Sequence, residues 1–302
     1  MTPLAFALIL LSALLHCGWN ALLKGHSPSL AFVLLLNCFS CLVMLPFLFA
    51  VPLPVLELPG RFWLCLAGSV AGELLFNVVL VQGYRRFDLS QFYPLVRALP
   101  VAMLAGAAYL LPLGRKTPSP WALLGMALIF AGCLGLGLGG RPQDGAQRAM
   151  PWRLWSWSIL GALGTCFYTG FDSSAAELAS AAENCGWTFA AACAYFVLMV
   201  FGLSLGAAIL VMASPAERRS LRKSCGNLRI PLLAGCFNAV CYTLILFAYS
   251  RTDNAALAFA ARQIGLPISF LFGVAFFHEK ITPVKIAGMA LVGIGLLLAG
   301  CL

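Results

Sequence analysis

Ten apolar runs, separated by short polar or proline-bearing breaks, occupy most of the chain: 3–23, 30–51, 62–83, 90–111, 119–139, 154–174, 186–212, 230–250, 255–277 and 282–301. Each is close to the roughly 20 residues a helix needs to cross a bilayer. Lipid offers no partner to an open backbone donor, so the runs predict membrane-spanning helices. Breakers lie between them: Ser27-Pro28, then Pro52, Pro54 and Pro59, then Thr117-Pro118-Ser119-Pro120, and Pro215. The longest polar stretch near the midpoint, 140–153, reads as a linker between a first unit, 1–139, and a second, 154–302. The first run lacks a basic leader and a clear cleavage site, and Gly18 to Leu23 continue it, so a retained span is expected there.

The second unit repeats the first. Tyr84, Asp88 and Arg97 recur 165 residues later as Tyr249, Asp253 and Arg262. Pro120 with Gly125-Met126-Ala127-Leu128 recurs 163 later as Pro283 with Gly288-Met289-Ala290-Leu291. Ala13-Leu14, Cys17 and Trp19 match Ala162-Leu163, Cys166 and Tyr168 at 149. Five runs per unit is an odd number, so the second unit would enter the bilayer with opposite orientation. Such inverted repeats occur in secondary transporters, which alternate access around a central site. The expected fold is therefore an all-α polytopic membrane protein of ten helices in two inverted five-helix repeats.

Composition agrees and excludes other classes. Of 302 residues, 62% are apolar and 10% charged, against about 45–50% and about 25% in soluble domains. Ten spans use about 200 residues, which leaves no room for a soluble catalytic domain. No Ser/His/Asp set, paired carboxylate site or metal cluster is apparent. Most of the twelve cysteines lie in apolar runs, and the Cys38/Cys41 pair has no His or second pair beside it. The expectation is a protein that is not an enzyme, with no cofactor, metal or nucleic-acid partner. The net charge of +9 is assigned to loops. Breaks after odd-numbered runs hold thirteen Lys and Arg and those after even-numbered runs four, with Arg97 and Arg262 inside runs. Positive charge favours the cytoplasm, so both termini are expected outside a bacterial inner (plasma) membrane.

Polar groups inside the runs are the candidate site, because ionisable side chains at that depth face a cavity or a partner. Glu73 lies mid-run, roughly 16 Å deep at 1.5 Å per residue, with Asn77 one turn on. Their repeat mates are Asn238 and Tyr242. Glu73 reads as a proton-coupling or cation-binding carboxylate, or as a structural partner of Arg97. Arg97 and Arg262, about seven residues into their runs, read as anion anchors suited to carboxylate or phosphate, or as side chains snorkelling to opposite interfaces. Gln263 could add a donor. His16 and Asn20 form a polar stripe that contacts ligand or bonds a neighbouring helix. Tyr93 and Tyr168 are read as cavity walls, and Trp19 as a belt aromatic or a cavity wall. Asp172, close to the end of the sixth run, is either solvated or part of the polar face. Gly125 with Gly132, and Gly288 with Gly295, mark close packing of the fifth and tenth runs.

The run Phe87-Asp88-Leu89-Ser90-Gln91-Phe92-Tyr93-Pro94-Leu95-Val96-Arg97 resembles the "GDLS..YPLAR" signature of EamA-type transporters of the drug/metabolite transporter superfamily. Phe276-Phe277-His278-Glu279-Lys280-Ile281-Thr282-Pro283 with Ile286-Ala287-Gly288 and Gly293-Ile294-Gly295 resembles the motif that ends each repeat of that family. The resemblance covers the whole chain and implies two five-helix repeats and transport of small metabolites. Gly114-Arg115-Lys116 departs from the family's usual Glu, and the resemblance implies cytoplasmic termini, opposite to the charge count. The resulting expectation is alternating-access transport of a small polar, anionic metabolite, coupled to protons through Glu73. The alternatives are a hydrophobic-cation exporter and a lipid-carrier flippase or membrane-assembly subunit.

Overall fold

The computed structural model describes residues 2–25, 28–50, 58–87, 89–110, 117–138, 151–181, 187–249, 251–252, 254–268, 270–271 and 281–300. Asp88, Asp253, Gly114-Arg115-Lys116, the linker through residue 150 and the motif residues Phe276 to Lys280 lie outside them. Among the described residues every regular element is helical: α1 (Pro3–Gly25), α2 (Leu30–Ala50), α3 (Gly60–Tyr84), α4 (Leu89–Leu110), α5 (Pro120–Leu138), α6 (Pro151–Ala181), α7 (Phe189–Ala213), α8 (Pro215–Cys225), α9 (Arg229–Tyr249), α10 (Ala255–Ala261), a 3-10 turn (Arg262–Ile264) and α11 (Pro283–Gly300).

Among the described residues, five stretches are long and apolar enough to cross a membrane: Pro3–Leu23, Leu30–Phe49, Gly60–Tyr84, Phe189–Ala213 and Arg229–Tyr249. Shorter apolar helical stretches cover Phe92–Ala108, Pro120–Leu136, Ala255–Ile268 and Pro283–Ala299. Large apolar side chains such as Leu42, Phe49, Leu64, Phe201, Ile209 and Leu297 stand exposed on the outer faces. Water would not tolerate so much exposed apolar surface on a monomer; lipid does. The chain is an all-helical membrane protein.

Two elements differ from the sequence expectation. The sixth run does not stop near residue 174, because α6 spans 31 residues to Ala181. Its polar residues Ser158, Thr165, Thr169, Asp172 and Ser173 are buried, so they point into the bundle. Asp172 is fully buried mid-helix, not solvated. Glu73 is thus not the only deep acid. Second, the basic stretch after α7 is itself a helix, α8. Ser214 caps it by accepting from the Glu217 amide at 3.4 Å, and Pro215 occupies its first turn. Glu217 is buried and accepts from Arg85 Nη2 at 2.6 Å and from the Ala31 amide at 3.2 Å. Arg85 Nε also donates to the Pro28 carbonyl at 3.1 Å. One carboxylate therefore fastens α8 to the start of α2 and the end of α3, while Arg218, Arg219, Arg222 and Lys223 stay exposed.

The most extensive packing pairs α5 with α11, α3 with α6, α1 with α9, and α2 with α7; α2 also packs on α9, and α3 on α7. Two crossings set glycine against glycine, where an absent Cβ on each side lets backbones approach. A Cβ on Gly72 would lie 3.0 Å from the Gly164 carbonyl oxygen, and one on Gly164 would lie 2.8 Å from that of Gly72. The α5–α11 crossing repeats this twice, at Gly125 with Gly295 and at Gly132 with Gly288. The expected close packing of the fifth and tenth runs is present.

Candidate functional site

A pocket opens among α1, α2, α3, α6 and α9. It is lined by His16 and Trp19, by Val33, Leu36 and Asn37, by Glu73, Phe76 and Asn77, by Tyr168, by Asn238 and Tyr242, and by Arg262. Both units contribute. Its void, counting the part open to solvent, is about 440 Å³.

Local chemistry places Arg262. The α-helix of α10 tightens to a 3-10 turn at this residue, a change that often marks a working position. The Cys17 thiol donates to the Gly265 carbonyl at 3.1 Å, which ties the turn to α1. Arg262 is buried, and its Nη2 lies 3.4 Å from His16 Nδ1 and 3.9 Å from Cys241 Sγ. Its Nε and Nη1 find no acceptor among the described residues, and no carboxylate there lies within ion-pair distance. The Trp19 indole N–H donates to His16 Nδ1 at 3.1 Å from one turn along α1. Arginine and indole can only donate, so Nδ1 is an acceptor and the ring hydrogen sits on Nε2.

Hydroxyl and amide bonds fix the opposite wall. Ser12 Oγ donates to the Cys241 carbonyl at 2.8 Å, which joins α1 to α9. Asn238 Nδ2 donates to Ser40 Oγ at 3.3 Å, and that oxygen lies 2.9 Å from the Gly235 carbonyl, joining α2 to α9. Asn37 is buried with Nδ2 unpartnered. Glu73 Oε2 is likewise buried without a partner, and Tyr242 stands beside that carboxyl group.

Of the residues expected to form the site, His16, Glu73, Asn77, Tyr168, Asn238, Tyr242 and Arg262 are brought together. Asn20, Tyr93, Arg97 and Gln263 are not among the lining residues. Asn20 Nδ2 donates to the His16 carbonyl of its own helix at 2.8 Å, and Gln263 Nε2 to that of Phe259 at 2.9 Å. Tyr93 packs on Tyr84, ring centres 6.4 Å apart. Arg97 is buried with its guanidinium 5.3 Å from the Phe259 ring centre, and its Nε and Nη1 are unpartnered. Neither arginine snorkels to a surface: their exposures are 3% and 2%. Asn37, an amide in an apolar run, escaped sequence reasoning. Two residues left open there are decided. Trp19 lines the pocket and supports His16. Asp172 receives hydrogen bonds from Ser69, from Tyr195 at 2.8 Å and from Tyr242 at 2.7 Å.

No family model matches the sequence, and no curated protein does. Among solved structures, the chain is similar to one described only as "Crystal structure of protein", at 16% identity and a TM-score of 0.67, over 99% of this chain and 96% of that one. That likeness establishes a shared fold.

Proposed function

We propose that the protein is a secondary active transporter of small anionic metabolites, built as ten spans in two inverted repeats and of the EamA, drug/metabolite type. The observation that carries this reading is the pocket itself, where the Arg262 guanidinium, without a carboxylate partner among the described residues, and the Glu73 carboxyl share one space formed by helices of both units. The guanidinium supplies the anion site. Asn37, Asn77, Asn238 and Tyr242 orient the substrate, and Glu73 carries the coupled proton. The packing pairs support the repeat. Exchanging the five long or apolar helices of one unit for those of the other turns α3–α6 into α9–α1 and α2–α9 into α7–α3. The same exchange leaves α5–α11 and α2–α7 unchanged.

The aromatic walls, Trp19, Phe76, Tyr168 and Tyr242, give a second reading some support, export of a hydrophobic cation held by Glu73. Arg262 opposes it, because a like charge in one pocket repels. Uptake of labelled carboxylate and phosphate metabolites into proteoliposomes, with and without an imposed proton gradient, separates the two. Glu73→Gln is expected to lower gradient-driven uptake at least tenfold while substrate exchange without a gradient persists. Loss of drug tolerance in Glu73→Gln cells, with anion uptake absent from the wild type, would favour the cation exporter.

The charge count places the loops after odd-numbered spans, including α8, in the cytoplasm of a bacterial inner membrane. A fluorescent reporter fused after the last residue is expected to be dark inside the cell, while a periplasm-active phosphatase at the same place is active. The reverse pattern would invert the topology.

A further inference from the structure

The pocket reading leaves one buried acid without a task. Asp172 on α6 is fully buried, and no basic side chain among the described residues lies within ion-pair distance of it. Its Oδ1 accepts from Ser69 on α3 and from Tyr195 on α7, and its Oδ2 accepts from Tyr242 on α9. A carboxylate held by three neutral hydroxyls from three other helices is well satisfied while it keeps its charge. The ionisable groups facing it are Cys65 and Glu73 on α3, Tyr195 on α7, Tyr242 and Tyr249 on α9, and Arg262.

Tyr242 is shared. Its hydroxyl bonds Asp172 while its side chain lines the pocket beside Glu73. A phenol has one hydrogen to donate. That hydrogen is committed to Asp172, while Glu73 Oε2 has no hydrogen-bond partner among the described residues. The orphan oxygen and the satisfied carboxylate are two sides of one choice.

We propose that Asp172 and Glu73 form a single proton-coupling pair, in which the Tyr242 hydroxyl donates to one carboxylate at a time. When Asp172 takes a proton on Oδ2, that O–H donates to the Tyr242 oxygen. Tyr242 keeps its own hydrogen and turns it toward Glu73, so the proton bound at Asp172 is felt in the pocket. The same step reverses the hydrogen bond between α6 and α9, with Asp172 now the donor and Tyr242 the acceptor. This deepens the transport reading and rests on it for its purpose, because it names the residues through which a proton would drive the cycle.

Infrared difference spectra of the full chain in lipid vesicles, recorded across steps of pH, read the carboxyl C=O bands directly and need no substrate. Asp172→Asn and Glu73→Gln assign the bands. Each group's titration midpoint is expected to move by about one pH unit or more when the other is amidated, the mark of coupled sites. In a Tyr242→Phe background that mutual shift should shrink at least threefold. Tyr195→Phe also removes a donor to Asp172, yet Tyr195 does not line the pocket, so the mutual shift should survive. A shift of equal size in Tyr242→Phe, or an Asp172 band that does not titrate, would overturn the proposal. If Asp172→Asn fails to fold, the Asp172 band in Glu73→Gln, with and without Tyr242→Phe, gives the same answer. Intact infrared coupling in a protein that moves no labelled anion would count against the transport reading alone.

Discussion

Replacing Arg262 by glutamine is expected to cut anion transport by about 100-fold or more and, in the same protein, to raise the unfolding temperature of the substrate-free state by a few degrees. The two effects share one cause. A charge taken out of water costs several kcal/mol unless partners compensate it. Arg262 has weak ones, His16 Nδ1 at 3.4 Å and Cys241 Sγ at 3.9 Å, and two of its nitrogens have none. Glutamine removes the charge and relieves that cost. An anionic substrate would supply the missing acceptors, in the forked geometry a guanidinium favours, and glutamine cannot answer it. A structural arginine behaves oppositely, since its loss lowers stability and spares function. Thermal unfolding in detergent and uptake into proteoliposomes, measured on one preparation, decide between them. A fall in unfolding temperature with transport retained would end the anion-anchor role. Arg97, outside the pocket lining and stacked near Phe259, should give a smaller transport loss.

The helices were readable because the bilayer leaves a sequence few choices. Apolar runs of one membrane thickness with prolines in the breaks foretold α2 at Leu30–Ala50 and α9 at Arg229–Tyr249 within a residue or so. Glu73 and Asn238 were legible as a pair because internal repetition placed them at matching positions, and both reach the pocket. Asp172 stayed between two readings because a window one membrane thick ends α6 too early, whereas its inward polar stripe lets the helix run on to Ala181. Helix α8 had a local signal that hydropathy hides: Ser214, Pro215 and Glu217 have the spacing of a capped start. Which face of a helix meets the cavity was beyond reach for Gln263. It adjoins Arg262 in sequence, yet it turns back to its own helix's carbonyl while Arg262 faces the pocket.

Gly132→Leu and Gly295→Leu are each expected to remove most of the folded protein, far beyond what a one-methyl change in a core does. At Gly132 an added Cβ would lie 2.6 Å from the Gly288 carbonyl oxygen and 2.9 Å from the Val292 nitrogen. At Gly295 it would lie 2.5 Å from the Gly125 oxygen and 2.9 Å from the Ile129 nitrogen. The obstacles are backbone atoms of the partner helix, so no side chain can swing aside and the helices must separate. Overpacking a core costs about 1–3 kcal/mol where neighbours can yield. Here a leucine also levers open one of the most extensive helix contacts among the described residues, against a total stability of about 5–15 kcal/mol. Hydrophobic attraction cannot restore the pair, because lipid tails are as apolar as the side chains, and close van der Waals fit is what holds helices together there. Gly293 on α11 and Gly106 on α4 supply the controls, since an added Cβ meets nothing within 4 Å at either. Gly293→Ala and Gly106→Ala should match the wild type in the height and symmetry of the monodisperse peak on fluorescence-detected size exclusion, while the two leucine variants lose it. Wild-type peaks from Gly132→Leu would show that α5 and α11 do not meet through their backbones.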